Sequence, residues 1–145
     1  MTDRAGVEVV WENDAPPPVN LDRLRDLLEG VLLREQACGE VTVILTGDDE
    51  LHRLNQQYRG VDAPTDVLSF DLRDEVGPGQ EIGEIYISAD RAGAQAADRN
   101  GSLSDEVDLL SVHGVLHLLG HDHDTDEAHG RMRSREQFHL AERPV

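Results

Sequence analysis

The chain has 145 residues, 38% of them hydrophobic, with 30 acidic side chains against 13 basic ones and a formal net charge of −17. That length and apolar content suit a single domain, 1–145, and exclude wholesale disorder. No run of 18 apolar residues occurs, so no membrane-spanning helix is expected, and so acidic a balance argues against a broad basic surface for nucleic acid.

Taken in chain order, Val7 to Glu12 reads as a first strand, ended by Asn13-Asp14 and the run Pro16-Pro17-Pro18. Asn20 is a candidate N-cap for a helix through Glu35, in which Leu21, Leu24, Leu27, Leu28, Val31 and Leu32 recur at helical spacing. Cys38 has no second cysteine to pair with, which fits a reducing cytoplasm, and it is expected to be a small buried filler. The N-terminus lacks the basic-then-apolar pattern of a secretory signal, so a cytoplasmic protein is expected. Glu40 to Leu45, rich in β-branched residues, reads as a strand. Asp48 or Asp49 is expected to cap a short helix carrying Leu51, Leu54 and Tyr58. Two more strands follow, Val67 to Asp71 and Gly83 to Ser88, separated by an exposed loop with Gly and Pro punctuation. After Ser88 the chain turns helical. An Ala-rich helix stops near Asn100-Gly101, a second starts at Ser104 and ends at Gly120, and an amphipathic helix runs from about Thr125 to Arg143. Strands come early and helices late, which gives an α+β fold: a small mixed sheet of about four strands, about five helices, and a metal site on a central helix.

The segment that points to a metal is His113-Gly-Val-Leu-His117-Leu-Leu-Gly120-His121-Asp122-His123. Residues four apart share one face of a helix, so His113 and His117 present two imidazoles to one point. Gly120 suits the left-handed conformation that ends a helix, and the reversal brings His123 towards the same ion. The spacing is that of metzincin zinc proteases, and three imidazoles leave a fourth position for water, as catalytic sites do. A closed structural site with His121 or Asp122 as fourth ligand is the rival. Those proteases place a Glu base directly after the first His. Here that position is Gly114, which argues against peptide hydrolysis. His52, His129 and His139 read as surface residues.

The second dense segment runs from Leu54 to Phe70. Arg59 stands before a turn as a rigid positive fork, suited to gripping phosphate oxygens, while Asp62, Thr65 and Asp66 are expected to hydrogen-bond the loop backbone. An ordinary Arg–Asp pair is the alternative. Taken together, N-x2-Y-R-x2-D-x-P-T-D-V-L-S-F and, downstream, H-G-x-L-H-L-x-G-x-D-H resemble the YbeY family of ribosomal-RNA maturation endoribonucleases, closely from about Leu54 to Met132. The resemblance implies an α+β fold, one zinc-like ion on His113, His117 and His123, and Arg59 as the catalytic or substrate-binding arginine. It also implies metal-dependent cleavage of single-stranded RNA, in 16S rRNA 3′-end processing and ribosome quality control. Three departures stand out. His121 replaces a common Tyr and is a candidate proton shuttle, Gly83-Glu84-Ile85 replaces Gly-Asp-Ile, and Val61 and Ala63 replace residues that are often basic.

The expected chemistry is thus metal-assisted phosphodiester hydrolysis by Zn2+ or another divalent transition ion. The expected partners are single-stranded RNA, 16S rRNA and the small ribosomal subunit, with neither DNA nor membrane. With five aromatic residues in the chain, extensive base stacking is not expected. The absence of Lys and the acidic surface suit a high-salt cytoplasm, where the Debye length shrinks to about 3 Å near 1 M. The rival classes are a metallopeptidase-like hydrolase and a non-enzymatic ribosome-associated factor with a structural metal.

Overall fold

A computed structural model describes residues 5–73, 81–121 and 125–143. Strand β1 (Ala5–Trp11) is followed by α1 (Leu21–Arg34), β2 (Gly39–Thr46), α2 (Asp48–Arg59), β3 (Val67–Asp71) and β4 (Glu81–Ser88). The helices α3 (Ala89–Asp98), α4 (Leu103–Leu118) and α5 (Asp126–Ala141) complete the order. The sheet order is β1-β2-β4-β3, with β1, β2 and β4 parallel and β3 antiparallel to β4. This is the expected α+β class, with a mixed four-stranded sheet and five helices among the described residues.

The apolar periodicities explain the layers. Leu24, Leu27, Leu28, Val31 and Leu32 of α1 bury against Val41, Val43 and Leu45 of β2 and Ile85 and Ile87 of β4. Val107, Val112, Val115 and Leu116 of α4 join the same cluster. Because side chains alternate along a strand, Leu68, Phe70 and Tyr86 fall on the opposite side, where Leu51 and Leu54 of α2 meet them in a smaller cluster. No described helix is long and apolar enough to cross a membrane.

Helix starts follow their caps. Asn20 accepts from the Arg23 amide at 3.0 Å, as its position predicts. Two caps differ from the sequence reading. Ser102, not Ser104, caps α4, accepting from the Asp105 amide at 3.0 Å. Asp48 is the first residue of α2 rather than its cap; its carboxylate instead accepts from the Ser88 hydroxyl at 2.6 Å and Arg91 Nε at 3.3 Å, at the start of α3. Cys38 is exposed, not buried. Its neighbour Ala37 packs against the core, so the following residue turns outward.

The larger correction concerns α5. Its buried residues are Met132, Glu136 and His139, so its inward stripe is mostly polar, and His139 is fully buried rather than superficial. The polar atoms are satisfied across helices. His139 Nε2–H donates to Glu35 Oε2 at 2.6 Å, while Arg34 Nε donates to His139 Nδ1 at 3.1 Å, which together fix a neutral tautomer. Arg135 reaches the same Glu35 oxygen at 2.6 and 3.0 Å, and His121 Nε2 donates to Oε1 at 3.2 Å. Burial pushes the Glu35 carboxyl up, but the hydrogen bonds from His139, Arg135 and His121 outweigh it and bring its pKa down to about 2. Burial pushes the His139 imidazole down, and its hydrogen bond to Glu35 offsets only part of that.

Both groups therefore bind fewer protons folded than unfolded below their ordinary values of 6.5 and 4.5, so stability falls as pH falls. Loss begins below about pH 6.5 through His139 and continues between 4.5 and about 2 through Glu35. In thermal melts from pH 7 to pH 3, Glu35→Gln is expected to be less stable than wild type at pH 7 and to show a shallower decline below pH 4.5. Parallel declines would contradict this.

Candidate metal centre

Helix α4 carries His113 and His117 on its last two turns, and the sheet beneath sets how closely it lies. A Cβ built on Gly114 would fall 2.9 Å from Ile85 Cγ2, 3.1 Å from Ile85 Cδ1 and 3.2 Å from Ser69 Oγ. Ile85 is fully buried and has nowhere to go. The position directly after His113 is thus held to glycine by close contact, and the place where a protease would keep its glutamate base has no room for one. Gly120 then ends the helix with φ +100°. Its amide donates to the His117 carbonyl at 3.1 Å and the His121 amide to the Leu116 carbonyl at 3.0 Å, the paired bonds of a Schellman motif. The expected left-handed helix end at Gly120 is therefore present. His123 and Asp122 lie outside the described residues.

His113, His117 and Arg59 line one cavity of about 300 Å³, with Val67, Leu68 and Ser69 of β3 between them. Three elements thus converge: the end of α2, the edge strand β3 and the end of α4. His113 Nδ1 donates to Glu136 Oε2 of α5 at 2.6 Å. Glu136 is buried, and with the proton held on Nδ1 the lone pair of the ring belongs to Nε2. A carboxylate on the far nitrogen of an imidazole is the arrangement that orients metal-binding histidines. The two described imidazoles, one of them oriented by Glu136, suit a zinc-like ion by their chemistry.

Arg59 is exposed at the end of α2, which closes at Gly60 with φ +70°. The loop that follows is pinned by side chains. Asn55 Nδ2 donates to the Ala63 carbonyl at 2.8 Å, His52 Nε2 lies 2.7 Å from Asp62 Oδ1, and Gln95 Nε2 donates to Asp66 Oδ2 at 3.1 Å. The loop carboxylates thus bind side chains, not the loop backbone as expected, and Asn55 caps the backbone in their place. Asp62 is engaged by His52 and Asp66 by Gln95, and Arg59 itself lines the cavity. His121 stands elsewhere: beside Glu35, lining a separate cavity with Gly130, Arg131 and Arg135.

Comparison with known proteins gives the chain a family. Residues 13–143 match the family described as Endoribonuclease YbeY. The chain belongs to the YbeY endoribonuclease family. Relatives of that name include one from Chloroflexus aurantiacus, 54% identical over 68% of this chain and 69% of its own length. Another, from Desulfitobacterium hafniense, is 41% identical over 90% of this chain and 92% of its own. A third, from Bacillus subtilis, is 38% identical over 90% of each. The solution structure of a Thermotoga maritima protein superposes with a TM-score of 0.63 at 31% identity, covering 94% of this chain and 90% of that one.

Within this YbeY-family site, sequence reasoning missed Glu136 and Ser69. Glu136 lies four residues from Met132, inside the buried stripe of α5, and a carboxylate in that register was the available signal. Ser69 sits beneath the cavity with its hydroxyl 3.5 Å from the Gly114 carbonyl.

Gly114→Ala is expected to cost about 1–3 kcal/mol of stability by overpacking against Ile85, and Gly114→Glu to prevent folding. Chemical denaturation checks both, and wild-type stability in Gly114→Ala would contradict the close approach.

Proposed function

We propose that this protein is a metal-dependent endoribonuclease that cleaves single-stranded RNA, with the 3′ end of 16S rRNA in the small ribosomal subunit as its substrate. The observation that carries the reading is the shared cavity, in which an exposed guanidinium faces two imidazoles one helical turn apart. Family membership supports the reaction class. The steric demand at Gly114 weighs against a peptidase, whose general base would have to stand there.

His113 and His117, with His123 as the third ligand from its spacing, would hold the ion. A zinc-like ion bound there supplies Lewis acidity and a hydrolytic water of lowered pKa. The protein's own groups do the rest. Glu136 holds His113 in the tautomer that offers Nε2. Arg59 binds the phosphate oxygens in bidentate fashion and stabilises the negative charge that builds on them at the transition state. The exposed edge of β3 forms the floor between these groups, and a single strand can bend into so narrow a cleft where a duplex cannot. His121 is given the task of anchoring the turn after Gly120 through Glu35, in place of the proton shuttle considered from sequence.

The test is cleavage of a single-stranded 16S 3′-end RNA in dilute and in molar potassium chloride, with and without chelator. Cleavage is expected to vanish on chelation and in His117→Ala, and to fall by about 100-fold or more in Arg59→Ala. Cleavage unchanged in both variants, or absent at every salt concentration, would overturn the reading.

A further inference from the structure

Resting on the endoribonuclease reading, we propose that Tyr58, Phe70 and Tyr86 form a nucleobase subsite beside the phosphate site, which stacks one base of the single-stranded substrate. The composition promised little stacking, yet three of the five aromatic residues meet in one place. The Phe70 ring lies edge-on to Tyr58, with centroids 5.2 Å apart, and to Tyr86, at 5.8 Å. These rings line a second cavity, of about 440 Å³, on the α2 face of the sheet. That volume falls within the range of ordinary small-molecule sites, about 300–1,000 Å³.

Three observations identify the occupant as a base. First, the cavity adjoins the phosphate site. Ser69 lines both, and Tyr58 precedes Arg59 on the last turn of α2, so one substrate strand can place its phosphate on Arg59 and the neighbouring base on Tyr58. Second, Tyr58 is 60% exposed although it contacts Phe70. Its ring is held from one side by a half-buried aromatic and presents the rest of its surface to solvent, as a stacking platform must. Third, the two charged residues that line this cavity, Asp71 and Glu84, are acidic. Asp71 is paired with Arg73 at 2.6 and 3.1 Å, and Glu84 lies across the strand pair from Phe70. With Asp71 engaged by Arg73, Glu84 sets the preference: a carboxylate repels phosphate and accepts hydrogen bonds from the exocyclic amino groups of bases, so this cavity favours the base and Arg59 the phosphate. Aromatic stacking of this kind tolerates any base.

The experiment uses the metal-loaded protein and a fluorescent single-stranded RNA, intact or with one abasic residue walked along it. Anisotropy gives binding, and gel analysis of the same samples gives cleavage, for wild type, Tyr58→Ala and Tyr58→Phe. Thermal melts verify that the variants fold. Tyr58→Ala is expected to raise Kd and KM by about tenfold with kcat changed by less than about threefold, and Tyr58→Phe to behave as wild type. An abasic residue at one position beside the cut is expected to cost wild type a similar factor and to cost Tyr58→Ala nothing more. If wild type cleaves and Tyr58→Ala matches its Kd and KM, the subsite is wrong while the endoribonuclease reading stands. Tyr58-dependent binding without cleavage would keep the subsite and defeat the endoribonuclease reading. Neither binding nor cleavage by wild type would overturn both.

Discussion

The close approach of α4 to the sheet at Gly114 is the constraint on which the site depends. With Ile85 Cγ2 2.9 Å from where a Cβ would stand, the helix has one depth at which it can lie. That depth sets His113 and His117 beside the free edge of β3, level with Arg59 at the end of α2. A larger residue at 114 would lift the helix and separate the imidazoles from the guanidinium. The same glycine that excludes a protease base therefore holds the rest of the site in place. The reaction class thus rests on a packing requirement as well as on the choice of ligands.

Around this contact the protein uses α5 as a polar brace. Glu136 orients His113, and one turn further His139 joins Arg135 and Arg34 around Glu35. Glu35 also holds His121, directly after the Gly120 reversal. Burying a carboxylate with two arginines nearby is expensive in desolvation and returns its cost only when every atom is satisfied. Here one of the three donors to Glu35, His121, stands in the turn itself, and the other two, Arg135 and His139, come from α5. The arrangement favours one position of that turn more than it favours overall stability.

Much of this was legible in the residues. The leucine spacing and the Asn20 cap located α1, the β-branched run located β2, and H-x3-H-x2-G located both histidines and the helix end. Arg59 stood out as a rigid cation placed directly before a turn. The partners that position these groups were not legible, because they lie far away in sequence: Glu136 is 23 residues from His113, and Glu35 is 86 from His121 and 104 from His139. Periodicity also misled for α5, where a polar stripe faces inward and His139 is buried. The aromatic cluster was hidden for a related reason. Composition counts five rings, but only the pairing of β3 with β4 and the seating of α2 bring three of them together.

The central claim, that α4 holds one catalytic metal ion oriented from α5, is tested most directly by Zn2+ binding in competition with a chromophoric chelator. The comparison runs across wild type, His117→Ala and Glu136→Gln, each first shown to be folded. The expected result is one ion per chain in wild type, loss of tight binding in His117→Ala, and affinity weakened by about 10- to 100-fold in Glu136→Gln. Equal stoichiometry and affinity in all three proteins would contradict the account.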